Sequence, residues 1–358
     1  MDVKNRIYLF VALSLGFGAL YWEIRQTSGA AFYQELSQLH LGWLGVAFLC
    51  MLVHWGIEGK ILQGLLKRQH GDFSFRSAVR IPLIEHVFNA ITPFSTGGQP
   101  AQLITLARSG VDPGVAGSVC LMKFVTYQIM IVLNFIACLL FGYRWVANEV
   151  TSLSYLVLLG FLINLVVVIG LLLLMYCYPL TNRLVQLAIK LVGKFTSPAK
   201  KQHLAKVTEE KMLNFYYESQ YMRRQKKLMA RTFSLTFLQL VCYYTVPYFI
   251  LKSLGLTQLN IMQIIVLHAF IILVISLFPV PGGAGGAEYS FSLLFGTFMG
   301  TKTSQLVVAI VLWRLVTHYF GIFLGLIASF MKPLPEGSQE ITDTYSAKQL
   351  SSDRITLK

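Results

Sequence analysis

Four ionisable side chains sit inside runs apolar enough to be buried in a lipid bilayer: Glu85, Lys123, Glu288 and Arg314, with Glu58 near the edge of another such run. A charge at the bilayer centre costs about 2.5–3.5 kcal/mol on insertion scales unless it is paired or wetted, which makes such residues functional candidates. Two acids and two bases at depth suit pairing across a shared polar cavity. The bases would hold a phosphate and the acids an amine. Arg314 with His318, and Lys123 with Tyr127, are i,i+4 pairs on single helix faces. For Lys123 and Arg314 a second reading stands beside the first: an ion pair that only fixes helix packing.

The elements that must position these charges are broken ones. From Phe278 to Phe291 the chain holds Pro279, Pro281, Gly282, Gly283, Gly285 and Gly286, directly before Glu288. Two prolines and four glycines forbid a continuous helix there. A similar break, Thr92 to Pro100, holds Pro93, Gly97, Gly98 and Gln99. Before it, Pro82 opens a helical piece with Glu85, His86 and Asn89 near one face; after it, Ala101 to Ala107 carries Gln102. Each half is about ten residues, too short for a bilayer that needs about 20. Residues 81–107 and 279–299 are therefore expected as re-entrant or broken segments. A shift of 186 lays Pro93 on Pro279, Gly97 on Gly283 and Gln102 on Glu288, an internal repeat. Paired Gly/Pro-interrupted segments point to a transporter site near the midplane. Non-helical backbone at that depth persists only where protein buries it or water reaches it. The half-helix after each break offers N–H groups and a positive dipole end to a phosphate or carboxylate.

Composition sets the frame. The 358 residues are 55% hydrophobic and 13% charged, with a mean hydropathy of +0.60, which excludes an ordinary soluble domain. The fold class is all-α, a polytopic membrane protein of seven or eight transmembrane helices. Spans are expected near 7–22, 41–58, 117–141, 153–178, 232–252, 261–279 and 304–330. The net charge of +14 does not imply nucleic acid, because residues 181–231 alone carry twelve Lys/Arg against three acids. That basic region (180–231) is expected to be cytoplasmic, where it attracts anionic lipid headgroups. Leu184, Leu187, Leu191 and Phe195 give it an amphipathic helix on the membrane surface, or a solvated helical loop. The N-terminus, with Lys4 and Arg6, is placed in the cytoplasm. Residues 1–331 form the membrane domain and 332–358 a polar, disordered tail.

Catalytic signatures are missing. No GxSxG, HExxH or Walker loop occurs, and the glycines at 282–286 follow an apolar helix rather than a strand. Cys50, Cys120, Cys138, Cys177 and Cys242 show no CxxC pair, and His54, His86, His268 and His318 show no metal spacing. No catalytic residue, metal or cofactor is expected.

Asn89-Ala90-Ile91-Thr92-Pro93 with Gly97-Gly98-Gln99-Pro100, and Pro279 with Gly282-Gly283-x-Gly285-x-x-Glu288, resemble the integral-membrane, flippase-like region of lysylphosphatidylglycerol synthases, also called the multiple peptide resistance factor. The resemblance covers about 5–330 and departs at Gln99 and Gln102, where relatives often carry an acid and an arginine. It implies a bacterial cytoplasmic-membrane protein that translocates or handles a phospholipid or lipid-linked headgroup, lysylphosphatidylglycerol being one, with an association to antibiotic resistance. It also implies the family label of phosphatidylglycerol lysyltransferase. The aminoacyltransferase domain that would carry this activity is expected to be absent, since only 332–358 follow the last span. Two other readings stay open: an ion-coupled transporter of a small anion, and a membrane partner recruiting a lipid-modifying enzyme through 180–231.

Overall fold

The computed structural model describes residues 18, 21, 29–67, 73–146, 151–177, 179–183, 187, 215–217, 219–299 and 303–331, and among them every regular element is helical. The expected span over 7–22, the amphipathic segment 184–195 and the tail 332–358 lie, isolated positions apart, outside the described residues. The helices are α1 (Gly29–Ser37), α2 (Leu41–Leu66), α3 (Phe75–Ile91), α4 (Gly98–Arg108), α5 (Pro113–Val146), α6 (Thr151–Tyr176), α7 (Lys226–Tyr244), α8 (Val246–Ser253), α9 (Ile261–Ile275), α10 (Gly286–Met299), α11 (Thr303–Arg314) and α12 (Phe320–Phe330). A π-helical turn, Leu315–Tyr319, joins the last two. Four stretches are long and apolar enough to cross a membrane: Leu41–Leu66, Pro113–Leu140, Lys226–Ser253 and Ser304–Phe330. Val157–Leu173 and Ile261–Ile275 are shorter apolar helices. The chain is a polytopic membrane protein.

Local chemistry sets several helix starts. Ser74 caps α3 by accepting from the Ser77 N–H at 3.2 Å. Asp112 accepts from the Gly114 N–H at 2.8 Å ahead of α5. Asn260 accepts from the Met262 N–H at 3.0 Å ahead of α9. Each oxygen takes up an amide donor that a helix start leaves unpaired. Three expectations change. Pro82 lies inside α3 rather than at its start, so the first half-helix has 17 residues instead of about ten. The 41–58 span continues to Leu66, which puts Glu58 well inside α2. The 232–252 span is split at Thr245, with Pro247 at the start of α8 and Thr245 Oγ1 bonded back to the Val241 carbonyl at 3.0 Å.

Two apolar cores surround the two breaks. One gathers Leu62, Leu66, Phe73, Ile81, Leu106 and Met122 from α2 to α5. The other gathers Leu251, Phe270, Phe291, Phe295 and Trp313 from α8 to α11. Helix α2 runs through both, contributing Met51 and Trp55 to the second and Ile61 to Leu66 to the first. Glycines permit the close crossings. A Cβ on Gly59 would lie 2.5 Å from Val79 Cγ2, which brings α2 onto α3 and Glu58 toward Glu85. A Cβ on Gly325 would lie 2.2 Å from the Leu83 carbonyl oxygen, so α12 lies directly along α3. Arg80 Nε donates to the Ala328 carbonyl at 2.8 Å along the same seam.

Candidate functional site

The two breaks open with the same backbone, and differ after the turn, where Thr96 and Gly97 are helical while Ala284 is extended and Gly285 has φ 82°. Thr92 is extended (φ −116°, ψ 143°) and leads into a single 3₁₀ turn, Pro93–Ser95, with Phe94 and Ser95 both at φ 53°. Val280 is extended (φ −103°, ψ 138°) and leads into the turn Pro281–Gly283, with Gly282 and Gly283 both at φ 63°. Helix resumes at Gly98 and at Gly286. Every correspondence is a shift of 188 (280 − 92, 281 − 93, 286 − 98), so the repeat is present but its register of 186 is corrected by two. Residue identity drew Pro93 onto Pro279. The proline that acts as Pro93 does is Pro281, which follows an extended residue and opens a helical turn. Gln102 therefore corresponds to Ser290, not to Glu288. The two turns pack against each other, and α3 packs on the second turn.

The second break is closed by an ion pair. Glu288, in the first turn of α10, accepts from the Gly285 N–H at 2.7 Å through Oε2, the reach-back of a capping box. Its Oε1 accepts from Arg314 Nε at 2.6 Å. The same guanidinium donates to the carbonyls of Gly282 at 3.1 Å and Gly283 at 3.2 Å. Both residues are buried. Arg314 is the last residue of α11, where the helix widens into the π turn, a deviation frequent at functional sites. Behind it, Trp313 Nε1 donates to His268 Nε2 at 3.1 Å and fixes α11 on α9. His318, the i+4 partner on the same face, packs over Gly282, where a Cβ would meet its ring at 2.6 Å. Glycine at 282 thus meets two demands, a positive φ and a close approach.

At the first break, neutral groups take those places. Thr92 Oγ1 donates to the Phe88 carbonyl at 2.7 Å and accepts from the Gly97 N–H at 2.8 Å. Asn89 Oδ1 accepts from the Gly98 N–H at 2.9 Å. A Cβ on Gly98 would fall 2.2 Å from that oxygen. The charge lies one shell back. Lys123 Nζ, on α5, donates to Glu85 Oε2 at 2.7 Å and to Glu58 Oε1. Gln99 Nε2 donates to Glu85 Oε1 at 2.9 Å, and Gln239 Nε2 donates to Glu58 Oε2 at 3.1 Å. Gln102, one helical turn beyond Gln99, is fully buried, and neither atom of its amide has a partner.

The acids and bases expected to share one cavity thus sort into two closed clusters, Glu58–Lys123–Glu85 and Glu288–Arg314, one behind each break. A groove of about 310 Å³ runs beside Tyr289, Ser292, Leu293 and Gly296 on α10, lined by none of the charged residues of either cluster. Among the described residues no group of His, Cys, Asp and Glu is arranged to hold a metal ion.

The sequence pattern of the lysylphosphatidylglycerol synthase TM region matches residues 9–325. The chain belongs to this lysylphosphatidylglycerol synthase TM-region family. It is also similar to a UPF0104 membrane protein of Archaeoglobus fulgidus, 25% identical over 290 residues that cover 79% of this chain and 84% of the relative. Membrane residence and a lipid-related role follow at that level of detail.

For this member of the synthase TM-region family, two site residues escape a reading of the sequence. Gln239 and His54 close the far side of Glu58, with His54 Nε2 at 4.0 Å from Oε2. Both are common residue types in apolar runs, and only the intrusion of Glu58 into α2 marks the face they share. His54 and Glu58 are spaced i,i+4, and that spacing was the available signal.

Proposed function

We propose that the protein handles, and moves between leaflets of the cytoplasmic membrane, the headgroup of a phospholipid or lipid-linked molecule such as lysylphosphatidylglycerol. The observation that carries this reading is the pair of helical breaks packed turn to turn, each backed by a buried cation, Lys123 behind one and Arg314 behind the other. Irregular backbone at depth persists where protein buries it or it lines a polar cavity, and paired breaks of this kind mark binding sites in transporters. A phosphate entering between the turns would draw on Lys123, Asn89, Gln99 and Gln102 at the first break. An amine on the headgroup would draw on Glu85. Glu288 and Arg314 hold the second turn in shape against it. The acyl tails stay in lipid. In this reading the N-terminus and the basic segment 180–231 face the cytoplasm, and the segment gathers anionic lipid or a separate lipid-modifying enzyme.

Reconstituted liposomes with a headgroup-labelled phosphatidylglycerol test it. Wild-type protein is expected to move the label, and Lys123→Gln, purified as a monodisperse species, to lose at least about tenfold in rate, the loss of one partner in a buried charge cluster. Equal rates for the two proteins would overturn the reading. Uptake of free inorganic phosphate with no lipid movement would replace it with small-anion transport by the same broken helices.

A further inference from the structure

The two charge clusters differ in their balance. Glu288 and Arg314 cancel. At the first break two carboxylates, Glu58 and Glu85, share one ammonium, Lys123. The hydrogen bonds around His54 suit the neutral ring: its Nδ1 is bonded to the Gln239 carbonyl at 3.0 Å, and its Nε2 lies 3.4 Å from the Gln239 amide nitrogen, a donor, and 4.0 Å from Glu58 Oε2. Among the described residues the remaining neighbours bring no cation. Facing the cluster are His86 on α3, itself bonded to the His318 carbonyl, Tyr127 and Cys120 on α5, and Tyr243 on α7. Fully ionised, the cluster would bury one uncompensated negative charge, with Glu85 and Lys123 each 7% exposed. A buried unpaired charge is more costly than almost any alternative, and a proton is the smallest compensation.

A second feature points the same way. Gln99 and Gln102 are i,i+3 on α4, and Gln99 reaches Glu85. Gln102, on that same face, is 0% exposed and offers a donor and an acceptor that have no partner among the described residues. An amide so placed serves a polar guest, water or ligand, at the site.

We propose that the Glu58–Lys123–Glu85 cluster holds one exchangeable proton, and that this proton is taken up together with an anionic phosphate at the first break. The linkage is electrostatic. A phosphate brings negative charge toward a cluster that already carries an excess, so each ligand strengthens the other. Protonating Glu85 also weakens its charge-assisted bond from Gln99, the side chain that holds the start of α4. The balanced pair at the second break has no such role. The proton site is independent of the lipid reading above; its coupling to phosphate deepens that reading.

Two measurements on the purified full chain decide it. Infrared difference spectra between acid and alkaline samples should contain the carbonyl stretch of a buried carboxylic acid, shifted in heavy water and lost in Glu58→Gln or Glu85→Gln. Spectra identical in wild type and both variants would overturn the proton site. In weakly buffered detergent solution alkaline enough for the lipid-free cluster to have lost its proton, with a pH-indicator dye, short-chain phosphatidylglycerol should cause uptake of close to one proton per chain, and none in Glu85→Gln. Calorimetric binding of the lipid without proton uptake would overturn the coupling. No binding of any lipid would overturn the lipid reading while the infrared result still decides the proton. Inorganic phosphate replaces the lipid in a parallel titration; uptake with phosphate alone assigns the site to a free anion.

Discussion

The Arg314 guanidinium is expected to hold the second break in its observed shape, and its removal can be sized from its contacts. It makes three hydrogen bonds, to Glu288 at 2.6 Å and to the Gly282 and Gly283 carbonyls at 3.1 and 3.2 Å. In Arg314→Met a carboxylate on a residue 2% exposed loses the cation paired with it. Breaking a buried pair from one side costs about 3–5 kcal/mol. At about 1.4 kcal/mol per factor of ten, the closed arrangement loses roughly 10²- to 4 × 10³-fold in population. Heating detergent-solubilised protein and reading the surviving monodisperse fraction should show a midpoint lower by on the order of 10 °C. Glu288→Gln in the Arg314→Met background removes the stranded charge and should recover about 1–3 kcal/mol of the loss. The argument fails if Arg314→Met melts within about 0.5 kcal/mol of wild type, or if the two substitutions simply add.

Two further outcomes probe the packing and the register. Gly325→Ala sets a Cβ 2.2 Å from the Leu83 carbonyl oxygen; α12 must move off α3, and the same thermal assay should read a loss of about 1–3 kcal/mol. The corrected repeat equates Phe94 with Gly282, and the two should respond in opposite senses. Phe94→Gly relieves a left-handed residue that is 56% exposed, a strain of about 1–2 kcal/mol set against about 0.5–1 kcal/mol of added chain entropy, so stability is unchanged or slightly raised. Gly282→Phe forces the same conformation against the His318 ring and should destabilise strongly; a neutral Gly282→Phe would refute the matched geometry.

Much of this arrangement can be read from residue types alone, and the parts that cannot share a cause. Counting charges in apolar runs finds Glu85, Lys123, Glu288 and Arg314, because a charge in such a run stands out from its own sequence neighbours before any partner is known. Proline and glycine find both breaks, because their backbone preferences are local. Partner choice is not local. Lys123 meets Glu58 rather than Glu288 because Gly59 lets α2 close onto α3, and no spacing within one helix encodes that crossing. Register fails for a related reason: Pro279 and Pro281 are equivalent as residues, and only the extended backbone at Val280 selects the second.

Gln99 and Gln102 look like weakness in the first break, two neutral glutamines where the family resemblance implies charge. The surroundings supply the charge instead. Gln99 Nε2 lies 2.9 Å from Glu85 Oε1, so an acid at 99 would set two carboxylates in contact beside a cluster that already holds two acids and one base. Like charges at such a distance repel or must bind a further proton. With Glu58 on α2, Glu85 on α3 and Lys123 on α5 in place, a neutral donor is the residue that fits at 99. The second break reaches closure by the other route, with its acid on the resumed helix and its base on the next one. The first turn, with two non-glycine residues at positive φ and a neutral hold, is the more easily opened of the pair. The second, built from glycine and closed by Glu288 and Arg314, is the more firmly held of the two.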